Sequence, residues 1–294
     1  MSNAQFLWRL RLSLDLHQTL RRRLDALRSL RGVSLSRVFG AINMSLETGA
    51  TKRSGADTAL WLSTIAFTAS FAVWTIFSII GIQIQQDLGL SETQFGLLIG
   101  TPILTGSLIR LVLGVWTDQF GGRVVYPLVM LAAAGATFLL SYAETYPQFL
   151  IAALGVGIAG GTFAVGVTYV SKFFGAEKQG TALGIFGAGN VGAAVTKFVA
   201  PFVLIAMGWQ AVAQIWAVGL VAIAILFFLF TKDDPELVER RAKGLKPRPM
   251  LEQFAPLKNI QVWRFALYYF FVFGAFVASQ ICRFQIIRYF NFRH

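Results

Sequence analysis

The chain has one cysteine, Cys282, and two histidines, His17 and His294, far apart in its 294 residues. A lone cysteine excludes an intramolecular disulfide, and two distant histidines offer no metal-ligand cluster. Charge is scarce, at 14% of residues, and acid is the scarcer sign, with 14 Asp and Glu against 26 Lys and Arg. No Ser/His/Asp grouping and no paired carboxylates fall within the apolar stretches, so the chain does not read as an enzyme. Gly187-Ala-Gly189-Asn190-Val-Gly192 formally matches G-x-G-x-x-G. That fingerprint needs a preceding strand and an acid about 20 residues onward, whereas here the flanks are apolar and no acid occurs between Glu177 and Asp233. No cofactor is expected.

What the chain has in abundance is apolar sequence. It is 55% hydrophobic, with a mean hydropathy of +0.61, and the apolar residues fall in blocks of about 20, long enough to cross a bilayer. Spans are expected at Thr58–Ile82, Phe95–Thr117, Val124–Tyr142, Pro147–Val170, Thr181–Met207 and Trp209–Thr231, with a seventh from Val262. Backbone groups in lipid must be satisfied within the segment, so these are helices. The fold class is an all-α polytopic membrane protein, with the lipid bilayer as its surroundings.

Residues 1–57 hold ten Lys or Arg against four acids, and the connection 232–261 holds seven more. The short loops at Arg123 and at Lys172 and Lys178 are basic, whereas those at Asp87 and Glu92 and at Glu144 contain no Lys or Arg. This positive-inside pattern places the N-terminus and the 232–261 loop in the cytoplasm. It also accounts for the net charge of +12 without nucleic acid as a partner. In the basic arm 1–57, Leu16, Leu20, Leu24 and Leu27 recur at helical spacing among Arg21, Arg22, Arg23 and Arg28. An amphipathic surface helix, a transit peptide and a partly ordered cytoplasmic tail all fit.

Within the spans, Gly157 with Gly161, Gly180 with Gly184, and Gly184 with Ala188 and Gly192 follow the small-xxx-small spacing of close helix pairs. Asn190 lies among them; a side-chain amide in a span needs a partner, on a neighbouring helix or on a ligand. Arg110 lies eight residues before Asp118, about 12 Å deeper into the bilayer at 1.5 Å per residue. Intramembrane arginines are rare and usually functional. Snorkelling to the surface is the alternative, but two turns is a long reach. No acid in the six expected spans would neutralise it, so a transported anion could supply the missing charge.

After the second span comes Gly114-Val-Trp-Thr-Asp118-Gln-Phe-Gly121-Gly122-Arg123. This G-x-x-x-D-x-x-G-G-R pattern resembles the loop 2–3 signature of the major facilitator superfamily, which implies that Asp118 pairs with neighbouring helix ends and helps gate the inner face. Gly160-Gly161-Thr-Phe163-Ala, the break from Ser171 to Gly180, and Ala182-Leu-Gly184-Ile-Phe-Gly187-Ala-Gly189-Asn190-Val-Gly192 together resemble the nitrate signature of the nitrate/nitrite porters, a branch of that superfamily. The resemblance covers residues 56–278. It implies twelve helices in two six-helix bundles around a central anion path in the cell (inner) membrane. Arg110 would then bind the anion, Asn190 would line the path, and Phe163 would add an aromatic wall. Tyr269 and Phe273 of the seventh span would stand beside the substrate, nitrate or nitrite.

The resemblance also implies a second arginine from an eighth span, and here the chain departs from it. The sequence SQICRFQIIRYFNFRH from Ser279 has lost the family pattern, and its Arg283, Arg288 and Arg293 fit poorly with an outer exit of the seventh span. The expected organisation is a basic arm (1–57), a six-helix bundle (58–231), a loop between halves (232–261), the start of a second bundle (262–278) and a non-native tail (279–294). A truncated nitrate/nitrite transporter is the leading reading, for which a separately encoded C-terminal half would be a partner. A non-transporting membrane partner or sensor, or a transporter of another small anion, are the alternatives.

Overall fold

The computed structural model describes residues 35–244 and 255–291, with side-chain surroundings from Gly55 onward except at Pro256, Phe276, Val277 and beyond Ala278. The chain divides into two compact units, 1–53 and 54–294. In the first, only the helical residues 35–53 are described; the leucine and arginine pattern of residues 16–28 lies outside the described residues. All that follows concerns the second unit.

Among the described residues, five helices are long and apolar enough to cross a membrane: Gly55–Leu88, Glu92–Phe120, Gly122–Leu140, Tyr146–Ser171 and Ala176–Phe230. The last contains two spans, because Gly208 takes φ 83° and ψ 170° in its middle. A positive φ is readily reached only without a Cβ, so the break falls at the glycine between Met207 and Trp209. Spans 1 to 4 are the first four helices; span 5 is 176–207 and span 6 is 209–230.

The ends are set by local chemistry. Span 2 begins with a capping box, in which the Ser91 hydroxyl accepts from the Gln94 amide and the Gln94 side chain accepts from the Ser91 amide. It runs to Phe120 and stops at Gly121, whose φ is 90°. Residues 118–120, expected beyond the second span, are therefore helical; only Gly121 separates spans 2 and 3. The short helix Pro235–Ala242 starts at Asp234, whose carboxylate accepts from the Leu237 amide at 2.8 Å. The final helix, Ile260–Asn291, carries an apolar segment of shorter than spanning length, Ile260–Ala275.

Spans 1 to 6 share one apolar core. Tyr126 of span 3 meets Phe227 of span 6 with ring centroids 4.8 Å apart, and Phe67 of span 1 stacks on Phe186 of span 5 at 5.0 Å. Many large apolar side chains, among them Leu104, Leu108, Ile151, Phe202 and Ile205, point outward and are exposed. In water that surface would be unfavourable; on a membrane bundle it is the lipid-facing side.

Candidate anion site and charge cluster

Arg110 sits in the middle of span 2 and turns toward span 4. Its Nε donates to the Gly160 carbonyl at 3.0 Å. The guanidinium carbon stands 5.6 Å from the centroid of the Phe163 ring and 5.4 Å from that of Phe273. Its side chain also hydrogen-bonds that of Tyr269. Tyr269 stacks on Phe273 with centroids 5.2 Å apart and on Phe163 at 6.2 Å. Four of the five residues expected to face the anion thus converge on one guanidinium, and two of them come from the final helix.

Among the described residues no carboxylate forms an ion pair with Arg110. Burial of a cation without a counter-charge is unfavourable; here aromatic faces and a carbonyl offset part of that penalty. The carbonyl belongs to a turn of 3-10 helix, Ile158–Gly161, interrupting span 4.

Asn190 lies in a second 3-10 turn, Ala188–Val191, of span 5. Its Nδ2 donates to the Gly187 carbonyl at 2.8 Å, so the amide is satisfied within its own helix and not by a neighbour. Its Oδ1 is buried and accepts no hydrogen bond from the protein. No hydrogen bond joins it to the Arg110 cluster.

The glycines divide into two groups. A Cβ on Gly160 would lie 2.7 Å from Trp74, and one on Gly157 would lie 2.6 Å from Thr105; Gly161 abuts Leu113, Gly189 abuts Phe67, and Gly192 abuts the Thr68 carbonyl. Around Gly180, Gly184 and Gly187 there is open space, so the packing expected from the Gly180–Gly184 spacing is not made among the described residues. Spacing alone does not tell a helix face that meets a neighbour from one that does not.

At the end of the bundle where span 2 leads into span 3, Asp118 pairs with Lys172 just after span 4, Nζ to Oδ1 2.8 Å. Lys172 also lies 3.7 Å from Asp234, so one ammonium serves two carboxylates. Burial pushes the Asp234 carboxyl above its usual range, against the opposing pull of Lys172 and the Leu237 amide. Arg123 stacks over Phe228 at 5.2 Å, with Nε 3.4 Å from that residue's carbonyl. Gly121 leaves room for Leu237, and Gly122 for the Tyr169 ring; Gly114 faces open space. Lys172 and Asp234 were not singled out from the sequence. Lys172 registered only as a positive-inside charge, although the Asp-Pro-Glu run at 234–236 carries a helix-start signal.

The apolar helices, packed on one core with their outer faces exposed, define a polytopic membrane protein. Residues 62–291 match the family profile of the Major Facilitator Superfamily, and the chain belongs to that superfamily. Its curated relatives within that superfamily are named as nitrate or nitrite transporters. It is 42% identical over 231 residues to a probable nitrate/nitrite antiporter, NarK1, of Thermus thermophilus, covering 74% of this chain and 51% of that one. It is 34% identical over 222 residues to the nitrite extrusion protein of Bacillus subtilis (strain 168), covering 76% of this chain and 54% of that protein. The chain spans about half the length of these relatives. Among solved structures, a bacterial homologue of the human lysosomal transporter Spinster, inward-facing and unoccupied, superposes with a TM-score of 0.54 at 20% identity, over 62% of this chain and 44% of that one. That likeness concerns the fold alone.

Proposed function

We propose that this chain carries the N-terminal half of a nitrate or nitrite transporter of the cell membrane, with Arg110 as its anion-binding group. The observation that carries the reading is a guanidinium held in mid-span with no carboxylate partner. Nitrate and nitrite are small, planar oxyanions, and a guanidinium offers them a planar fork of matched donors. The rings of Phe163 and Phe273 lie against the planar guanidinium and leave its nitrogens as the donors for an anion. As the anion arrives, the Tyr269 hydroxyl turns from accepting from Arg110 to donating to an anion oxygen, which a phenol can do.

Alternating access then amounts to two bundles rocking about this point, so that Arg110 faces each side of the membrane in turn. With no carboxylate beside Arg110, a proton relay has no obvious route here. Anion exchange, or entry of a proton with the anion, is compatible with the site. The Asp118–Lys172–Asp234 cluster holds the cytoplasmic ends of spans 2 and 4 and the helix Pro235–Ala242 together, and has to open when that face opens. The N-terminus lies in the cytoplasm on this reading.

The test is nitrate binding to the 294-residue chain in lipid nanodiscs, by titration calorimetry. Arg110→Ala is expected to lower affinity by at least about tenfold, the loss of a charge-assisted hydrogen bond in a partly dry site. Undiminished nitrate binding by Arg110→Ala would end this reading.

A further inference from the structure

Three departures from regular helix meet at one side chain. Span 1 breaks after Trp74 and resumes at Phe77. Span 2 carries Pro102, and span 4 tightens into the 3-10 turn Ile158–Gly161. The Trp74 indole is buried, and its Nε1–H donates to the Pro102 carbonyl at 2.9 Å. A Cβ on Gly106 would lie 2.9 Å from this Nε1, and one on Gly160 would lie 2.7 Å from it. The ring therefore fits only because both helices present a bare backbone to it.

The two glycines are tied to Arg110 in different ways. Gly106 lies one turn before Arg110 on the same helix, and Gly160 supplies the carbonyl that accepts from Arg110 Nε. The indole thus sits between the backbone that carries the arginine and the backbone that aims it.

We propose that Trp74 is a positioning residue for the anion site, a reading that rests on Arg110 being the anion-binding group. By fixing the spacing of spans 2 and 4, the indole keeps Arg110 Nε on the Gly160 carbonyl and directs the terminal nitrogens toward the anion. A mis-aimed fork retains its charge and loses the paired geometry that suits a planar oxyanion. Trp74 therefore acts on selectivity, and a rod-shaped anion such as thiocyanate, which cannot span the fork, reports the charge alone.

The experiment titrates nitrate and thiocyanate separately into the 294-residue chain in lipid nanodiscs. Trp74→Phe keeps an aromatic ring and removes the N–H donor. It is expected to weaken nitrate by about tenfold, the scale of one hydrogen bond to a charged group, and to leave thiocyanate unchanged. Gly160→Ala, whose methyl claims the indole's place, is expected to lower the same ratio and is the deciding variant if Trp74→Phe does not fold. In the double variant the smaller ring makes room for the methyl, so the two losses combine to less than their sum. An unchanged nitrate-to-thiocyanate ratio in a folded variant, or an equal loss for both anions, overturns the positioning role. Absence of nitrate binding to the unsubstituted chain, or full binding by Arg110→Ala, is a different result, because it removes the site itself and this proposal with it.

Discussion

Arg110 shows how a membrane bundle tolerates a charge that lipid does not. An arginine at the centre of an inserted helix costs roughly 2.5–3.5 kcal/mol on translocon scales. Two aromatic faces, one carbonyl and one phenol surround it here, none carrying the opposite charge. At the same scale, the glycines separate into those that pack and those that do not, and substitution can tell them apart. Gly192→Ala drives a methyl into the Thr68 carbonyl, and backbone cannot step aside as a side chain can. It is expected to destabilise the bundle by about 1–3 kcal/mol, as overpacking does. Gly184→Ala meets open space and gains up to about 1 kcal/mol of helix propensity. Thermal melting of the two variants in detergent should move in opposite directions; a shared downward shift would count against this division.

Between elements, the charge cluster around Lys172 couples span ends to a short helix. Asp234 caps the helix Pro235–Ala242 and shares Lys172 with Asp118, while Asp233 and Glu236 flank it in sequence. Its carboxyl is raised because burial disfavours the charged form more than Lys172 and the Leu237 amide favour it. The folded state then holds a proton more tightly than the unfolded chain does. The contribution from Asp234 is largest below the ordinary carboxylate value and is lost as pH rises through the raised one. Asp234→Asn keeps a capping side chain of equal rank and is expected to flatten this dependence above the ordinary carboxylate value of about 4. Asp234→Ala loses the cap as well, worth about 1 kcal/mol. Hydrogen exchange at the Leu237 amide would read both; an Asn variant with the parent's pH profile would refute the assignment.

Much of the element pattern was legible in the chain. The apolar blocks located the spans, and the glycine between Met207 and Trp209 divided two of them where the backbone does turn. The exit of span 2 was placed too early, because Asp118 and Gln119 read as a polar loop while the backbone stays helical until Gly121. The aromatic wall of Phe163 was read from the family signature and stands against Arg110. The partners of Asp118 and Arg110 were not legible. Lys172 and the Gly160 carbonyl lie about 50 residues away in sequence, and which carbonyl a 3-10 turn frees for a side chain is decided by packing.

For the whole molecule, the outward apolar residues make this a multi-pass membrane protein, and its sidedness can be tested. Glu144, just before span 4, and Lys178, in the first turn of span 5, are both exposed, with span 4 between them. In a Cys282→Ser background, Glu144→Cys is expected to react with an impermeant maleimide on intact cells, and Lys178→Cys only after the membrane is breached. The reverse pattern would invert the orientation assigned from the positive charges.

The single-residue corner at Gly208 bears on how the chain enters the membrane. Spans 5 and 6 are joined by one glycine, with Met207 and Trp209 on either side. No polar tether remains to be carried across first and held there while the second segment follows. Spans 5 and 6 are therefore expected to enter the bilayer together as one helical hairpin, and stable insertion of a chain ending at Met207 would count against it.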